Sequence, residues 1–395
     1  MLIYAGLFID GTGCRPLSNI YLAVDNSRIT AIGRAADFAE EDVRRALDYS
    51  RCTVLPGLVD SHVHLFLEGV YDLKERGRRW KEDKDLTVLR AVKNLQMTIK
   101  KGVTTIRDLG GPYDIASLFK RAVKQKILTG PRIIAANQAI SITGGHFHYA
   151  GGREADGPEE MVKAVREQVR AGADCIKVMM TGCVNFVRQD AGIVELTVEE
   201  TNAVVREAHR MGKMVAVHAN GPAGVGQAVT AGVDTIEHGA LLDETAASML
   251  TESSAYWLPT LLPFQRMLDY SREYDSVTLP QSGLESVYAR HRAMVGKSIA
   301  AGGKIVAGTD AGALGVEHGD LWWELALLVE VGLPPLKAIH AATGLAAEAI
   351  GLKETVGTLT AGKQADILVV EGNPLEDILC LRNVGQVFKG GVAVN

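Results

Sequence analysis

Short apolar runs alternate with turns at both ends of the chain. The runs are rich in β-branched and aromatic residues, and the segments between them contain Gly, Asn and Asp. This alternation is typical of strands joined by tight turns. The clearest runs are 2–5, 20–24, 28–33, 365–370 and 386–394. We therefore predict that 1–55 and 357–395 pair into one small β-sandwich domain.

A different pattern recurs in the centre, where an apparent helix ends at Gly and an apolar, β-branched run follows. It occurs at 101–106, 171–176, 211–217, 231–236 and 301–307. Stretches between these runs, such as 159–170 and 199–211, have apolar residues at three- and four-residue spacing, which indicates amphipathic helices. Helices alternating with buried strands predict an α/β fold with a parallel sheet. We expect a closed (β/α)₈ barrel of the TIM type over 56–356.

The apolar runs end in side chains that bind metals. His62 and His64 follow one run and lie one residue apart, so they face the same side of a strand. Later runs end in Lys177, His218, Glu237-His238 and Thr309-Asp310. The carboxyl ends of parallel barrel strands share one mouth. We therefore expect one cavity to contain the candidate ligands His62, His64, Lys177, His218, His238 and Asp310.

Imidazole and carboxylate groups are the ligands of Zn²⁺ and related ions, and three or four of them leave a position open for water. Such a water loses its proton near neutral pH and becomes a hydroxide nucleophile. Asp310 is suited to accept that proton and pass it to a leaving amine. Each residue alone could equally be structural, but their shared position at the ends of similar runs favours a metal site.

Lys177 differs from the other candidates because its ammonium would repel a metal ion. It is flanked by Ile176, Val178 and Met179, so burial should favour its neutral form. A neutral amine can add carbon dioxide to give a carbamate, an anion able to bridge two metal ions. The sequence thus suggests a two-metal site with a carboxylated Lys177.

Composition narrows the function classes. Hydrophobic content of 47% and charged content of 23% are those of a soluble globular protein. A net charge of -5 without long blocks of like charge gives no reason to expect nucleic acid or a membrane as partner. Five cysteines without C-x-x-C spacing, and no signal peptide or bilayer-spanning segment, indicate a cytoplasmic protein with a small-molecule substrate.

Several motifs together resemble the amidohydrolase superfamily. They are 56–64 (PGLVDSHVH), 176–177, 217–219, 236–239, 308–310 and the C-terminal phrase 357–367. The resemblance implies that His62, His64 and Asp310 hold one metal ion, that His218 and His238 hold a second, and that carboxylated Lys177 bridges both. It also implies zinc, hydrolysis of amide, ester or related bonds at carbon or phosphorus, and a homo-oligomer.

Within that superfamily, Gly144-Gly145-His146 and His218-Ala219-x-Gly221 resemble the branch of imidazolonepropionase-like proteins and Xaa-Pro or Xaa-Arg dipeptidases. Imidazolonepropionase itself lacks the bridging lysine, whereas Lys177 is present here. Cyclic-substrate deaminases of the superfamily tend to have His-Ala-x-Glu, whereas position 221 is Gly. Both departures favour two-metal hydrolysis over deamination.

Four residues are candidates for substrate binding. His146 and His148 lie in the glycine-rich segment 144–152, which is placed to cover the barrel mouth, although its glycines could serve a tight turn alone. Trp257 could line the pocket or pack in the core. Arg188 could pair with an acidic substrate group or lie on the surface.

The favoured function is a binuclear metal-dependent amidohydrolase that cleaves an amide bond in a dipeptide or N-acyl amino acid by metal-activated hydroxide. One alternative keeps the metal centre and changes the substrate to a cyclic amide, a urea or carbamate, or a lactone. A second alternative is a non-catalytic barrel used for assembly. The fold and the metals do not by themselves determine the substrate.

Overall fold

The computed structural model describes residues 1–184, 191–274 and 281–394. The strands in these ranges are β1 (Leu2–Phe8), β2 (Leu17–Asp25), β3 (Arg28–Gly33), β4 (Leu47–Pro56), β5 (Leu58–Val63), β6 (Val103–Asp108), β7 (Arg132–Ala135), β8 (Ile140–Ser141), β9 (Arg153–Glu154), β10 (Cys175–Met179), β11 (Met214–Ala219), β12 (Thr235–His238), β13 (Tyr256–Leu258), β14 (Ile367–Glu371), β15 (Val384–Lys389) and β16 (Val392–Val394).

The α-helices in the same ranges are α1 (Glu40–Arg44), α2 (Leu73–Arg79), α3 (Lys84–Lys100), α4 (Ile115–Lys124), α5 (Pro158–Arg170), α6 (Val198–Arg210), α7 (Pro222–Ala231), α8 (Glu244–Glu252), α9 (Leu261–Glu273), α10 (Gln281–Ala300), α11 (Leu321–Glu330), α12 (Pro335–Ala341) and α13 (Gly344–Ala349). Short 3₁₀ helices cover Ala35–Asp37, His148–Ala150 and Ile378–Arg382. No helix in the described ranges has both the length and the apolar character needed to cross a membrane.

The two ends of the chain meet in one sheet of seven strands, in the order β16-β15-β14-β4-β1-β2-β3. Strand β4 is central, parallel to β1 and antiparallel to β14, so Val54 lies opposite both Phe8 and Val369. Apolar residues on alternate positions pack on one side of this sheet. The second layer of the predicted β-sandwich and the predicted domain boundaries remain predictions.

The centre of the chain contains parallel sheets with helices between the strands. One sheet has the order β5-β6-β7 and the other β13-β12-β11-β10-β8-β9, and every recorded pair in them is parallel. Single parallel bridges join Trp257 to Ile305 and Val63 to Ala311, so the segment 305–311 lies beside both sheets. The predicted alternation of helices and parallel strands is therefore confirmed.

The recurring glycines mark where helices turn into strands. Gly232 caps the C-terminus of α7 with a φ of 81°, a left-handed conformation that glycine adopts without steric cost. Gly172 follows α5 with a φ of 97°. Each turn leads into the next strand, and because β10, β11 and β12 are parallel, the carboxyl ends of β10 and β12 lie on the same side of their sheet, where the candidate ligands are found.

Candidate metal centre

A cavity of about 440 Å³ lies at the carboxyl ends of the central strands. Its wall includes all six side chains that the sequence selected as ligands, namely His62, His64, Lys177, His218, His238 and Asp310. Five of them lie in or directly after the strands β5, β10, β11 and β12, and Asp310 lies in the segment that follows α10. The common mouth of parallel strands therefore brings together residues that are up to 248 positions apart in the sequence, from His62 to Asp310.

His62, His64 and Asp310 form the tightest group. Oδ1 of Asp310 lies 3.5 Å from Nε2 of His62 and 3.3 Å from Nε2 of His64. One donor atom from each of the three residues lies within 4.8 Å of the others. Two imidazole nitrogens and one carboxylate oxygen at this spacing make a ligand set suited to a divalent cation.

A buried carboxylate fixes the orientation of His62. Nδ1 of His62 donates to Oε2 of Glu237 over 2.7 Å, and both side chains are buried. Glu237 also accepts from Arg107 over 2.9 Å and from the hydroxyl of Thr235. With Nδ1 carrying the proton, the lone pair of His62 is on Nε2, the atom nearest Asp310.

Substituting Glu237 with glutamine should weaken both the metal site and the fold. The E237Q variant leaves the buried Arg107 cation without its carboxylate, which should cost about 3 kcal/mol or more of unfolding free energy. It also removes the anion that orients His62, so zinc affinity should fall about 10–100-fold. Denaturant unfolding and competitive zinc titration measure the two effects.

Two further variants make this prediction specific. Adding Arg107→Met to E237Q removes the unpaired cation and should recover part of the lost stability, but not the zinc affinity. Glu40→Gln breaks an exposed pair with Arg44 and should leave both measurements unchanged. Wild-type stability and zinc affinity in E237Q would contradict the assigned role of Glu237.

Backbone and hydroxyl groups orient His64 and His238 in the same way. Nδ1 of His64 donates to the carbonyl of Gly110 over 2.8 Å. Nδ1 of His238 lies 2.7 Å from the Thr260 hydroxyl, which itself donates to the carbonyl of Pro259. Since the hydroxyl proton is used there, His238 must be the donor to Thr260, and its lone pair is on Nε2.

Asp108 organises the loop beside His64. Its carboxylate accepts from the backbone N–H of Leu65 over 2.8 Å and from that of Gly110 over 3.2 Å. Burial raises the pKa of Asp108 to about 6, although His64 and these hydrogen bonds oppose the rise. The result is a fixed carbonyl at Gly110 for His64 to donate to.

Backbone conformation explains how two adjacent residues of β12 both face the site. Successive strand residues normally point to opposite faces. His238 ends β12 with a φ of 71°, in the left-handed region, which breaks the alternation. Glu237 thereby contacts His62 while His238 lines the cavity. A non-glycine residue in this conformation carries strain of the kind that is common at functional sites.

Burial keeps three of the candidate histidines neutral, as ligation requires. It lowers the pKa of His62 and His218 well below the usual value and that of His238 to about 3. Burial alone would raise the pKa of Asp310, but attraction to His62 and a hydrogen bond with His64 outweigh it and lower the pKa below its usual range. His62, His218 and His238 are therefore neutral, and Asp310 is ionised, near neutral pH.

Lys177 lies among these groups with an exposed fraction of 1%. Its Nζ has no hydrogen-bond partner among the described residues. Burial lowers the pKa of Lys177 to about 8, although Glu237 favours the charged form. An amine of this kind is neutral in a larger fraction of molecules than an exposed lysine, as the sequence reasoning anticipated.

His218 and His238 form a second pair beside the first group. Their ring centroids lie 4.6 Å apart, and that of His238 lies 5.0 Å from the ring of His62. Nε2 of His218 is 3.1 Å from Nδ2 of Asn220 and 3.3 Å from the carbonyl of Gly182. The two imidazole rings therefore lie directly beside the first group.

The bonding of two buried nitrogen atoms indicates whether a cation fits the site. Nε2 of His62 and Nζ of Lys177 both lack hydrogen-bond partners in the described part of the chain. An unsatisfied buried nitrogen costs free energy unless another ligand completes it. Because the surrounding donors are imidazole and carboxylate, a divalent cation fits this set.

Two of the four predicted substrate-binding residues lie in the cavity wall. His146 and His148 line the cavity. The ring of His146 lies 4.5 Å from that of His218, and its backbone N–H donates to Glu195. Nδ1 of His148 lies 2.6 Å from the carbonyl of Gly145. Arg188 falls outside the described residues.

The structure does not support a cavity-wall position for Trp257. Its side chain is 2% exposed and belongs to the main hydrophobic core. Its indole N–H donates to the backbone carbonyl of His238 over 2.7 Å. Trp257 therefore packs behind a candidate ligand and supports its position, because the indole fills the space under the loop that follows β12.

Some residues of the cavity were not anticipated. Arg76 on α2 and the aromatic side chains of Trp80, Tyr149 and Phe264 line it. Arg107 supports it from below through Glu237. The sequence contained a signal for Arg107, since this charged residue lies within the apolar run that forms β6. A buried strand tolerates an ionised side chain only with a partner, so a buried carboxylate could have been predicted.

Comparisons with known proteins identify the family. The model of the Amidohydrolase family matches residues 53–394. A crystal structure of a Xaa-Pro dipeptidase with bound methionine has 34% sequence identity and a TM-score of 0.91, covering 100% of this chain and 99% of that one. A prolidase complexed with N-methylphosphonate-L-proline has 30% identity and a TM-score of 0.88, with coverage of 100% and 99%.

A further relative is ochratoxinase from Aspergillus niger, with 30% identity over 99% of this chain and 85% of that protein. The chain therefore belongs to the amidohydrolase family, and the predicted resemblance to its dipeptidase branch is confirmed. The family and these structures also support the predicted hydrolase class and an α/β fold of the TIM-barrel type.

Proposed function

We propose that this protein is a binuclear metal-dependent hydrolase that cleaves an amide bond in a dipeptide or an N-acyl amino acid. The observation that carries the proposal is the meeting in one cavity of four histidines, one aspartate and a buried lysine whose amine has no hydrogen-bond partner among the described residues. The similarity to a Xaa-Pro dipeptidase and to ochratoxinase supports an amide substrate.

In this proposal His62, His64 and Asp310 hold one divalent ion, and His218 and His238 hold a second. Lys177 would help to hold both ions once its neutral Nζ has formed a bond to the carbon of carbon dioxide and released a proton, which gives a carbamate. Such ions supply Lewis acidity, which polarises a carbonyl group and lowers the pKa of water. Zinc is the expected metal.

The chain's own residues handle the proton. Oδ1 of Asp310 faces His62 and His64, so Oδ2 is the oxygen left to accept a proton from the attacking water. Asp310 then returns that proton to the nitrogen of the leaving amine, which would otherwise depart as an unfavourable anion. His146, whose ring lies next to that of His218, is placed to donate to a carbonyl or carboxylate of the substrate.

The proposal includes a finer architecture. The segment 305–311 would complete a closed (β/α)₈ barrel over 56–356 through its bridges to Val63 and Trp257. The segments 1–55 and 357–395 would form a β-sandwich domain beside it. A cytoplasmic homo-oligomer without nucleic-acid or membrane partners completes the proposal, on the family resemblance and the charge distribution.

Metal content measured beside a substrate screen tests the proposed function. We expect two metal ions per chain and release of amine from dipeptides or N-acyl amino acids, with activity lost after chelation and restored by zinc. Inductively coupled plasma mass spectrometry and an amine assay provide the two measurements. One ion per chain would contradict the bridge, and two ions without amine release would transfer the proposal to cyclic amides, ureas or lactones.

A further inference from the structure

Arg76 is a cation in the cavity wall that the metal chemistry does not use. It lies on α2, half-buried, and its guanidinium contributes to the lining. Nη1 donates to the carbonyl of Gly312 over 2.6 Å, two residues beyond Asp310. The guanidinium carbon lies 5.3 Å from the ring centroid of Trp80. These contacts fix the position of Arg76 and leave other N–H donors available, since a guanidinium has five.

The neighbouring arginines on α2 show what Arg76 lacks. Arg78 and Arg79 both pair with Glu75, and Arg79 pairs also with Glu68. Within the described ranges no carboxylate lies within 4.0 Å of the Arg76 guanidinium. The charge of Asp310 acts on Arg76 only at longer range, and a partly dehydrated cation with no described carboxylate in contact favours binding an anion.

The cavity wall around Arg76 is mostly apolar. The large side chains there are Leu73, Trp80, Tyr149, Phe264, Met267 and Leu314. The only carboxylate among the described lining residues is Asp310, which faces His62 and His64. Since no other carboxylate lines the cavity within the described residues, the anion that suits Arg76 is that of a ligand, and such a ligand also has an apolar group to place against the wall.

We propose that Arg76 binds the free α-carboxylate of the amino acid that leaves after cleavage, so that the enzyme selects amides of apolar amino acids with an unmodified carboxyl end. This inference rests on the proposed function. Asp310 delivers a proton to the amide nitrogen, and Arg76 is held at Gly312 next to it. The α-carboxylate is one carbon away from that nitrogen, which suits a substrate lying between the two residues.

Two substrates that differ only in the charge of the carboxyl end test the contact between Arg76 and the α-carboxylate. We compare kcat/KM for N-benzoyl-L-leucine and its neutral carboxamide in the zinc-loaded enzyme. Loss of a charge-assisted hydrogen bond predicts that Arg76→Met lowers the value for the acid about 10–100-fold and leaves that for the carboxamide nearly unchanged. Arg79→Met, on the same helix but outside the cavity, should keep the wild-type preference. An equal loss for both substrates in Arg76→Met would overturn the proposal.

A binding measurement separates this inference from the proposed function. Phenylbutyrate and phenylbutanol carry no amide, so titration calorimetry with them does not depend on turnover. Arg76→Met should lower the affinity for phenylbutyrate about 10-fold or more and leave the affinity for phenylbutanol unchanged. That result without amide cleavage would support the carboxylate site and reject the amidase activity. Equal affinities of wild type and Arg76→Met for phenylbutyrate would overturn the carboxylate site.

Discussion

The Lys177→Met variant should lose at least one metal ion per chain and about a thousandfold or more of kcat/KM, equivalent to about 4 kcal/mol of activation barrier. Lys177 is the residue whose carbamate would bridge both ions, and methionine cannot carry that anion. Methionine has a similar length, so the buried space stays filled. The substitution also removes an amine that has no partner within the described residues, so the fold should be retained.

Metal analysis and kinetics in parallel measure this effect. Wild-type protein exchanged into ¹³C-bicarbonate should show a carbamate carbon signal that Lys177→Met lacks. Carbamate formation should slow as the pH falls below the Lys177 pKa of about 8, because only the neutral amine reacts. Lys304→Met is the matched control, since Lys304 is exposed and contacts a backbone carbonyl and the ring of Tyr256, away from the cavity. Two bound ions with full turnover in Lys177→Met would refute the bridge.

The ligand positions could be predicted from the sequence because each is a local feature. An apolar run that ends in His or Asp identifies both a buried strand and the residue at its mouth. His218 and His238 needed no knowledge of tertiary contacts beyond the rule that parallel strands share one edge. The structure brings these side chains into one cavity for that reason.

Residues whose role depends on tertiary contacts could not be predicted from the sequence in this way. Arg76 lies in the polar stretch 73–79, which resembles an ordinary surface helix, and only the docking of α2 over the cavity turns it inward. Glu237 and Arg107 pair across 130 positions, a separation that no local pattern encodes. The sequence left open whether Trp257 lines the pocket or packs in the core, because a residue on a short strand can point to either face. Its side chain packs in the core.

The Asp310→Asn variant should lose about 100- to 10,000-fold of kcat/KM, the range that a proton-transferring side chain typically contributes. Asparagine keeps the size and one oxygen donor of Asp310 and removes only the charge and the basicity. It also suits the backbone, since Asp310 has a φ of 55° and asparagine tolerates the left-handed region better than most residues. The ions held by the histidines and Lys177 should therefore remain bound at saturating zinc.

Comparison with Asp310→Ala separates proton transfer from structure. Alanine removes the oxygen donor and fits the left-handed backbone poorly, so it should lower both zinc content and unfolding free energy, the latter by about 1 kcal/mol. Asp320→Asn is the matched control, because it makes the same change ten residues on, at an ion pair with Lys101 outside the cavity. If Asp310→Asn keeps its zinc and loses less than about tenfold in kcat/KM, another group must move the proton. His146 would be the next candidate, since it lines the same cavity beside His218.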